Sequence, residues 1–462
     1  MKLHNTLTGR LETIDAPNNI IRIYLCGITV YDESHIGHAR TIIVFDTLNR
    51  FVRSKGYKVQ LVQNFTDIDD KIINRARKEG LRAKDIPSRY INDYFRDFDQ
   101  LNILKADHYP RATDHIKDII EMIQRLIEKK HAYISLNGIY FHVKSFIEYG
   151  KLSKKSIEEL ESGARVEVDT SKHDPLDFAL WKFYSDEPLW DSPWGKGRPG
   201  WHIECSAMAL KYLGNSIEIH CGGQDLIFPH HENEIAQSEA FSGKQFVKLW
   251  MHSGMVTTNT EKMSKSIGNV VSIQQAIGEF GINTLRIFCL STKYSKPLDY
   301  TDKLLKESRQ KWRQIETCAY ELRCAISNGG ELKKMEILSA ETMKSFESAL
   351  DNNLNTPLAL REFMKFVTEL NRLAASDKLT REISEICSVF FTKMMYILGL
   401  RVTEATDIEK KHIEDLIITR NKLRDEKKFD ASDIIRKRLI EDYSVELMDH
   451  KNRTTWKKLE KV

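Results

Sequence analysis

Residues 20–100 alternate short apolar runs with longer amphipathic segments, and this rhythm constrains the fold more than any other feature. The apolar runs at 21–26 and 58–64 are each followed by a segment with helical spacing. Such strand–helix–strand alternation predicts a parallel sheet flanked by helices. Parallel sheets bind their ligands beyond the carboxyl ends of the strands, so residues 26–38 lie where a nucleotide is expected.

Two short strings stand out: His-Ile-Gly-His at 35–38 and Lys-Met-Ser-Lys-Ser at 262–266. The first opens a predicted helix, where Gly37 lets a nucleotide approach the backbone and the helix N-terminus favours negative charge. The second combines two ammonium groups with two hydroxyls, which suits a loop that contacts a triphosphate. Taken alone, the first string is most often a turn entering a helix, and the second a solvated surface loop.

Length and composition limit the class of protein. A chain of 462 residues predicts roughly three domains, and 41% hydrophobic with 29% charged residues is typical of a soluble globular protein. No stretch approaches the ~18 uninterrupted apolar residues that span a bilayer. The first ten residues lack the apolar run of a secretory signal, so no membrane partner and a cytoplasmic location are expected.

Seven scattered cysteines argue against a disulfide scaffold and leave thiols for a metal or for core packing.

Periodicity and breaks divide the chain. The second half of the sheet is expected to resume near 177–181 and to continue through 217–220 and 248–251. After residue 282 the pattern is mostly helical, with a break at Asn355-Thr356-Pro357. The predicted divisions are a split catalytic domain at 1–117 and 171–255, an insertion at 118–170, a loop region at 256–310, a helical bundle at 311–402, and a small terminal unit at 403–462.

Four residues of types that bind metals lie near these strands. His230 and Glu234 are four residues apart, a spacing that puts both on one helix face. Alone, such a pair is more often a surface hydrogen bond. Cys26 ends the first strand, and Cys205 lies in the second half of the sheet domain. Two thiolates, one imidazole and one carboxylate suit Zn²⁺. The site could bind the substrate, or it could be a closed structural zinc site that joins the two halves of the sheet domain.

Longer strings then resemble a known family. In this order, the strings at 35–38 and 262–266 are similar to the two signatures of class I aminoacyl-tRNA synthetases. The chain most resembles cysteinyl-tRNA synthetases, over nearly its full length, at Cys-Gly-Ile-Thr-Val-Tyr-Asp (26–32), Asn-Phe-Thr-Asp-Ile-Asp-Asp-Lys (64–71), Gly-Trp-His-Ile-Glu-Cys-Ser-Ala-Met (200–208) and 220–237. The resemblance implies an α/β fold: a Rossmann-type parallel-sheet catalytic domain with a connective insertion, followed by an α-helical bundle and a small mixed α/β C-terminal unit.

The resemblance also implies that zinc held by Cys26, Cys205, His230 and Glu234 binds the thiolate of the substrate L-cysteine. Elementary chemistry agrees, because a hydrophobic pocket discriminates by only ~10–200-fold per methylene, whereas soft, ionisable sulfur binds zinc far better than a hydroxyl does. No editing domain is then needed, and the insertion looks too small for one. One departure is Cys221, which replaces the first of the glycines usual after the histidine matching His220.

The implied reaction is two-step acyl transfer: the cysteine carboxylate attacks the α-phosphate of ATP, and the tRNA 2′-hydroxyl then attacks the adenylate. Positioning and charge stabilisation do most of the work, with Mg²⁺ on the phosphates. The resemblance assigns catalysis to His35, His38, Lys262 and Lys265. It assigns ATP binding to Gly37, His38, Gly222, Gly223, Asp225, Ser264, Lys265 and Ser266, and contacts with the amino acid to Thr66 and Trp201.

The C-terminal end carries a concentrated charge. Its last twelve residues hold five basic side chains against one acid, an excess equal to the net charge of +4 for the whole chain. A basic terminus around an aromatic residue suits contacts with RNA phosphates and bases, while a solvated tail is the plain alternative. The resemblance places 256–310 and the bundle against the tRNA stem and the terminal unit on the anticodon, with Arg453, Trp456 and Lys457 as candidate contacts. Arg453 and Ser444 replace glycines usual in the family.

Three rival interpretations remain. A related ligase activates cysteine on zinc but transfers it to an amine of a small sugar-like molecule; it lacks a full anticodon-binding terminus. A non-catalytic RNA-binding paralogue would have lost a lysine of 262–266 or a zinc ligand, and none is lost here. A synthetase for another amino acid conflicts with the two-cysteine metal set. A monomer is expected, because the sequence shows no exposed heptad pattern.

Overall fold

The computed structural model describes residues 1–156, 159, 171–258, 261–263, 268–325, 331–450 and 453–459. The chain divides into two compact units. The first comprises Met1–Thr257, Lys262–Val270 and Tyr294–Leu298, and the second comprises Thr258–Glu261, Val271–Lys293 and Asp299–Val462. Among the described residues, no helix combines the length and apolar character needed to cross a membrane.

The first unit contains both strands and helices. Its strands are β1 (Lys2–Asn5), β2 (Arg10–Thr13), β3 (Ile20–Thr29), β4 (Lys58–Thr66), β5 (Ala132–Ser135), β6 (Gly138–Phe141), β7 (Phe178–Phe183), β8 (Gly197–Pro199), β9 (Ile217–Gly223) and β10 (Val247–Ser253). Its helices are α1 (Ile36–Ser54), α2 (Asp70–Glu79), α3 (Asp85–Gln100), α4 (Ile116–Glu128), α5 (Trp201–Leu213) and α6 (Glu232–Ser242). The short strands β11 (Val256–Thr258), β12 (Glu261–Lys262) and β13 (Leu298–Asp299) follow in the chain.

The predicted parallel sheet is confirmed. Its strand order is β10-β9-β3-β4, and each neighbouring pair is parallel. β3 is buried along most of its length, as expected for a strand covered on both faces. All four strands end at the same edge, and the direction in which the chain winds reverses between β3 and β9. Ligands of open parallel sheets bind at such a reversal point.

One predicted strand belongs to a different sheet. Residues 177–181 were expected to resume the parallel sheet, but β7 pairs antiparallel with β6 and β8, in a four-stranded sheet of order β5-β6-β7-β8. The reason is packing: Trp181 is fully buried in the core under α4, and Phe178 stacks on Phe141 with ring centroids 5.0 Å apart. The parallel sheet resumes only at β9.

The second unit is mostly helical, as predicted. Its helices are α7 (Ile273–Phe280), α8 (Ile282–Leu290), α9 (Asp302–Arg323), α10 (Leu332–Asp351), α11 (Thr356–Ala375), α12 (Arg381–Leu398), α13 (Asp407–Asp425) and α14 (Phe429–Tyr443), followed by the hairpin of β14 (Val445–Asp449) and β15 (Thr454–Lys458). The break at Asn355 is real, since its side chain accepts the backbone N–H of Leu358 at 3.3 Å and caps α11. The predicted domain limits themselves stay predictions.

An ion pair fastens β14 to α13. The buried Arg420 donates to both carboxylate oxygens of Asp449, at 2.6 and 2.7 Å, and the half-exposed Arg424 donates to the same group at 3.0 Å. The Arg420 guanidinium, more than any other group, lowers the pKa of Asp449 to about 2. Such bidentate pairs are the strongest of their kind.

We expect Arg420→Ala to destabilise the terminal unit by about 1 kcal/mol, because Asp449 loses its bidentate partner and keeps only the single hydrogen bonds from Arg424 and Thr454. Since the folded pKa of Asp449 lies below that of an unfolded aspartate, the stabilisation is complete above pH ~4 and is lost as the pH falls toward 2. Thermal unfolding of both proteins at pH 7 and pH 3 measures this. Arg424→Ala is the matched control, with an expected cost below about 0.5 kcal/mol. Equal losses in the two variants would contradict the assignment.

Candidate active site and metal centre

The two histidines at 35 and 38 begin α1 and cap it with their side chains. His35 Nδ1 accepts the backbone N–H groups of Gly37 and His38, at 3.1 and 3.4 Å, and His38 Nδ1 accepts that of His35 at 3.4 Å. The two rings stack with centroids 3.7 Å apart. Because each Nδ1 is an acceptor, each ring carries its proton on Nε2. The helix N-terminus thus adds two Nε2–H donors to its own affinity for anions.

The second signature string falls largely outside the described residues. Lys262 lies in β12, and nothing further is described of its side chain. Ser264, Lys265 and Ser266 lie outside the described part of the chain. Their contacts with ATP therefore stay predictions.

The strand that carries the predicted nucleoside-binding residues is longer than expected. β9 runs on to Gly223, so Gly222 and Gly223 end the strand, and Asp225 lies in the short helical turn that follows. A Cβ atom on Gly222 would lie 2.7 Å from the ring of His231, so only glycine fits there. Cys221 is fully buried within the strand.

Cys26 occupies an irregular point of β3. The register with β4 shifts between Leu25 and Ile28, and the Gly27 N–H donates to the Asn64 side chain at 2.9 Å. A Cβ atom on Gly27 would lie 1.6 Å from the Asn64 carbonyl oxygen, so the strands can approach this closely only at a glycine. This bulge gives Cys26 its position in the cluster described next.

The structure brings together all four predicted metal ligands. Cys26 Sγ lies 3.6 Å from Cys205 Sγ on α5 and 3.2 Å from His230 Nε2. His230 Nε2 lies 3.0 Å from Glu234 Oε1, one turn along the chain. All four residues are buried. The side chains thus converge from β3, from α5, and from the turn that enters α6.

The donor set fits a zinc ion. Two thiolates on one tetrahedral zinc lie about 3.8 Å apart, given Zn–S bonds of about 2.3 Å, and the two sulfurs are 3.6 Å apart here. The hydrogen bond from Cys26 lowers the pKa of Cys205 to about 6. Burial opposes ionisation of Glu234, but His220 and His230 lower its pKa to about 2. Two sulfur atoms, an imidazole nitrogen and a carboxylate oxygen are all ligand types that zinc binds.

Further histidines, which the sequence analysis missed, surround the predicted ligands. His202 Nδ1 lies 2.9 Å from His230 Nδ1, and His220 Nε2 lies 3.0 Å from Glu234 Oε2. These contacts direct His230 Nε2 and Glu234 Oε1 toward the cluster, as outer-shell groups do for metal ligands. The sequence did contain a clue to His202. It lies three residues before Cys205, and this spacing places the two side chains on one face of a helix.

His231 is an alternative fourth ligand. Cys26, His230, His231 and Glu234 each offer one donor atom within 4.8 Å of the others. His231 Nδ1 is paired with His252 Nε2 at 2.7 Å, and its Nε2 lies 3.9 Å from Glu234 Oε1. We prefer Cys205, because its sulfur lies 3.6 Å from Cys26 Sγ, whereas the Nδ1 atom of His231 is already paired with His252 and its Nε2 atom lies 3.9 Å from Glu234 Oε1.

The predicted contacts with the amino acid lie beside this cluster. Trp201 begins α5, and its indole stacks on the His230 imidazole with centroids 4.3 Å apart. Trp201 is 38% exposed, so it belongs to the wall of a cleft and not to the core. Thr66 ends β4 and is buried.

A buried arginine connects α1 to the segments around β11. The Arg40 guanidinium is fully buried and donates to the carbonyl oxygens of Met255 at 2.9 Å and Tyr294 at 3.4 Å, and also to that of Lys296. Met255 immediately precedes β11, which leads toward Lys262. The hydrogen bonds of Arg40 therefore hold the segment that leads toward Lys262 against α1, the helix that begins at the His35–His38 string.

We expect Arg40→Lys to slow adenylate formation by about 10- to 100-fold, because a small displacement of a charge-stabilising loop costs that much. The zinc content and the KM for cysteine should stay the same. Arg53→Lys, a partly exposed position on the same helix, is the control. If the KM for cysteine changed by as large a factor as kcat in Arg40→Lys, or if this variant also lost zinc, the proposed role of Arg40 would be contradicted.

The described basic residues of the C-terminal end have acidic partners within the protein. Lys457 is buried and lies 3.2 Å from Glu446 and 3.6 Å from Glu316, and Arg453 donates to Glu321 at 2.9 Å. Trp456 is half-buried. A count of charges along the chain cannot reveal these acidic partners on α9 and β14. Contacts of Arg453, Trp456 and Lys457 with tRNA stay predictions.

Comparison with known proteins agrees with the geometry. Residues 13–310 match the family described as tRNA synthetases class I (C) catalytic domain, and residues 345–403 match the DALR domain. The cysteine–tRNA ligase of Thermodesulfovibrio yellowstonii is 44% identical, with 99% of each chain covered. That of Caldicellulosiruptor saccharolyticus is 45% identical, with 95% of this chain and 96% of the relative covered.

Solved structures show the same fold at low identity. Mycobacterium tuberculosis methionyl-tRNA synthetase in complex with methionyl-adenylate is 16% identical with a TM-score of 0.60, over 81% of this chain and 91% of that chain. An Agrobacterium radiobacter LeuRS in a ternary complex is 11% identical with a TM-score of 0.63, over 83% and 85%. The full-length relatives and the match of the catalytic domain show that the chain belongs to the cysteine–tRNA ligase family of class I aminoacyl-tRNA synthetases.

Proposed function

We propose that this chain joins L-cysteine to the 3′ end of its tRNA in two ATP-dependent steps, through a cysteinyl-adenylate. The observation that carries the proposal is the buried cluster of two thiols, an imidazole and a carboxylate. It lies at the carboxyl end of β3, the strand that leads into the His35–His38 turn. The names of the full-length relatives support the same reaction.

In this proposal, Cys26, Cys205, His230 and Glu234 hold one Zn²⁺. When bound, zinc supplies a soft Lewis acid that prefers the thiolate of cysteine over the hydroxyl of serine. The surrounding residues keep this site ordered: His202 orients His230, and His220 orients Glu234. Trp201 covers the imidazole and excludes water from one side of the site.

The first chemical step requires charge stabilisation at the phosphates. An oxygen of the cysteine carboxylate attacks the α-phosphorus, and the bond to the pyrophosphate oxygen breaks. We assign the Nε2–H groups of His35 and His38 to the phosphate oxygens, together with Lys262, Lys265 and the Mg²⁺ that accompanies ATP. Gly37, Gly222 and Gly223 allow close approach of the nucleotide, and Asp225 accepts hydrogen bonds from the ribose hydroxyls. Ser264 and Ser266 complete the phosphate contacts.

In the second step the 2′-hydroxyl of the terminal adenosine of tRNA attacks the carbonyl carbon of the adenylate, and AMP leaves. The helices from α9 to α12 and the terminal unit from α13 to β15 are the proposed tRNA-binding parts. Residues 345–403, which match the DALR domain, comprise the end of α10 together with α11 and α12. We further propose that the protein acts as a monomer in the cytoplasm.

Exchange of labelled pyrophosphate into ATP tests the first step on the zinc-loaded protein. We expect exchange to depend on cysteine and to be at least about 10³-fold weaker with serine at equal concentration, since a site built around sulfur leaves a hydroxyl poorly bound. Comparable exchange with serine, or exchange with another amino acid only, would contradict the assignment of the cluster to substrate selection.

A further inference from the structure

A small charged cleft adjoins the proposed substrate site. It has a volume of about 50 Å³ and lies between the N-terminus of α2, the strands β7 and β8, and the first turn of α5. Trp201 and Glu204, both on α5, form one side of the cleft. Because Trp201 also stacks on His230, the cleft and the metal cluster share a wall.

The charged groups on the opposite side of the cleft already have partners. Asp69 accepts the Lys71 N–H at 2.8 Å and caps α2. Asp70 lies 3.4 Å from Arg198 and 4.0 Å from Lys182. Arg198 also donates to two backbone carbonyl oxygens nearby. These groups therefore form a rigid, internally neutralised wall.

Glu204 differs from them. It is 1% exposed, it lines the cleft, and its Oε2 has no hydrogen-bond partner among the described residues. Leaving a buried carboxyl oxygen unpaired is costly, so a native protein that retains one usually has a ligand or function for it. A hydrogen-bond donor that carries positive charge is the complement of such a group.

We infer that Glu204 receives the α-ammonium group of the amino-acid substrate; this inference rests on the proposed function. Glu204 immediately precedes Cys205 in the chain, and in cysteine the nitrogen is three bonds from the sulfur. A substrate with its sulfur at the cluster can therefore direct its ammonium group toward Glu204.

Glu204 would then select the substrate by its amino group, independently of the selection for sulfur at the metal cluster. The metal cluster alone would accept any small thiol acid. A carboxylate that requires an ammonium partner rejects thiols that lack the amino group, because binding them leaves Glu204 buried and unpaired. The site would then recognise the sulfur and the amino group of the substrate separately.

Titration calorimetry on the zinc-loaded protein tests this with two ligands, L-cysteine and 3-mercaptopropionate, which lacks the amino group. We expect Glu204→Gln to weaken cysteine binding by about 10- to 100-fold, the usual effect of losing one charged hydrogen bond. Binding of 3-mercaptopropionate should change by less than about threefold. Asp70→Asn, which removes a carboxylate that already has partners in the same cleft, should change either affinity by less than about threefold.

Zinc content and thermal midpoint, measured on each variant, establish that it is folded. If Glu204→Gln does not fold, Glu204→Asp retains the charge one methylene farther away, and the same selective loss for cysteine is expected. An equal loss for both ligands, or no loss for either, overturns the inference. A parent protein that binds neither thiol contradicts the proposed function instead.

Discussion

Removing the metal with a chelator is expected to reduce cysteine activation by at least about 10³-fold, and added zinc should restore it. A Lewis acid contributes several kcal/mol at such a site, and each 1.4 kcal/mol is a factor of ten. The structure gives the physical reason, since Cys26, Cys205 and Glu234 bring two sulfur ligands and an oxygen ligand together in one buried cluster. Cysteine-dependent pyrophosphate exchange, with metal content measured in parallel, is the experiment.

Substitutions separate this effect from general damage. Cys205→Ser should lose zinc affinity and activity together, because a hydroxyl is a poor zinc ligand at neutral pH. Cys221→Ser changes an equally buried cysteine on β9 that is not among the four predicted ligands, and it should retain zinc. Full exchange activity in a zinc-free Cys205→Ser protein would contradict the account of the metal.

Replacing His38 with alanine is expected to lower the rate of adenylate formation by about 10²- to 10³-fold, the usual cost of one donor at a developing charge. The KM for cysteine and the zinc content should change little, because His38 lies at the start of α1 and not in the metal cluster. Single-turnover measurements of adenylate formation give this rate. The exposed His108 provides the control, and His108→Ala should be as active as the parent.

A substitution at His35 can separate an effect on stability from an effect on catalysis, because His35 is both the cap of α1 and a proposed phosphate contact. Asparagine is a favourable N-cap residue, so His35→Asn should retain the thermal midpoint of the parent while losing about as much activity as His38→Ala. A His35→Asn variant that retains both the thermal midpoint and the activity of the parent would show that His35 is only a helix cap.

The parallel sheet, the helical second unit and the metal ligands could be predicted because their signals are local or chemically distinctive. Short apolar runs between amphipathic segments specify strands and helices. The spacing of His230 and Glu234 places both on one helical face, and the longer strings supplied Cys26 and Cys205. The break at Asn355 follows from the capping preference of asparagine and from the proline that comes two residues later.

What could not be predicted depends on contacts between distant residues. An apolar strand such as β7 does not specify its partner, and only the packing of Trp181 under α4 places it in the antiparallel sheet. The contact of His220 with Glu234 joins a strand to a helix. Lys457 counts as a surface charge in the sequence, yet it is buried against Glu316 on α9. Glu204 lay inside a recognised string, but only the structure shows its unpaired oxygen.

The most direct test of the central claim is transfer of labelled cysteine to bulk tRNA in the presence of ATP and magnesium, with and without a zinc chelator. The account predicts label in the tRNA at an ester bond to its 3′ end, and loss of that label when zinc is removed. Formation of cysteinyl-adenylate without labelled tRNA would contradict the claim and would favour a ligase that transfers cysteine to a small amine. Charging that is unaffected by complete zinc removal would contradict the role of the cluster.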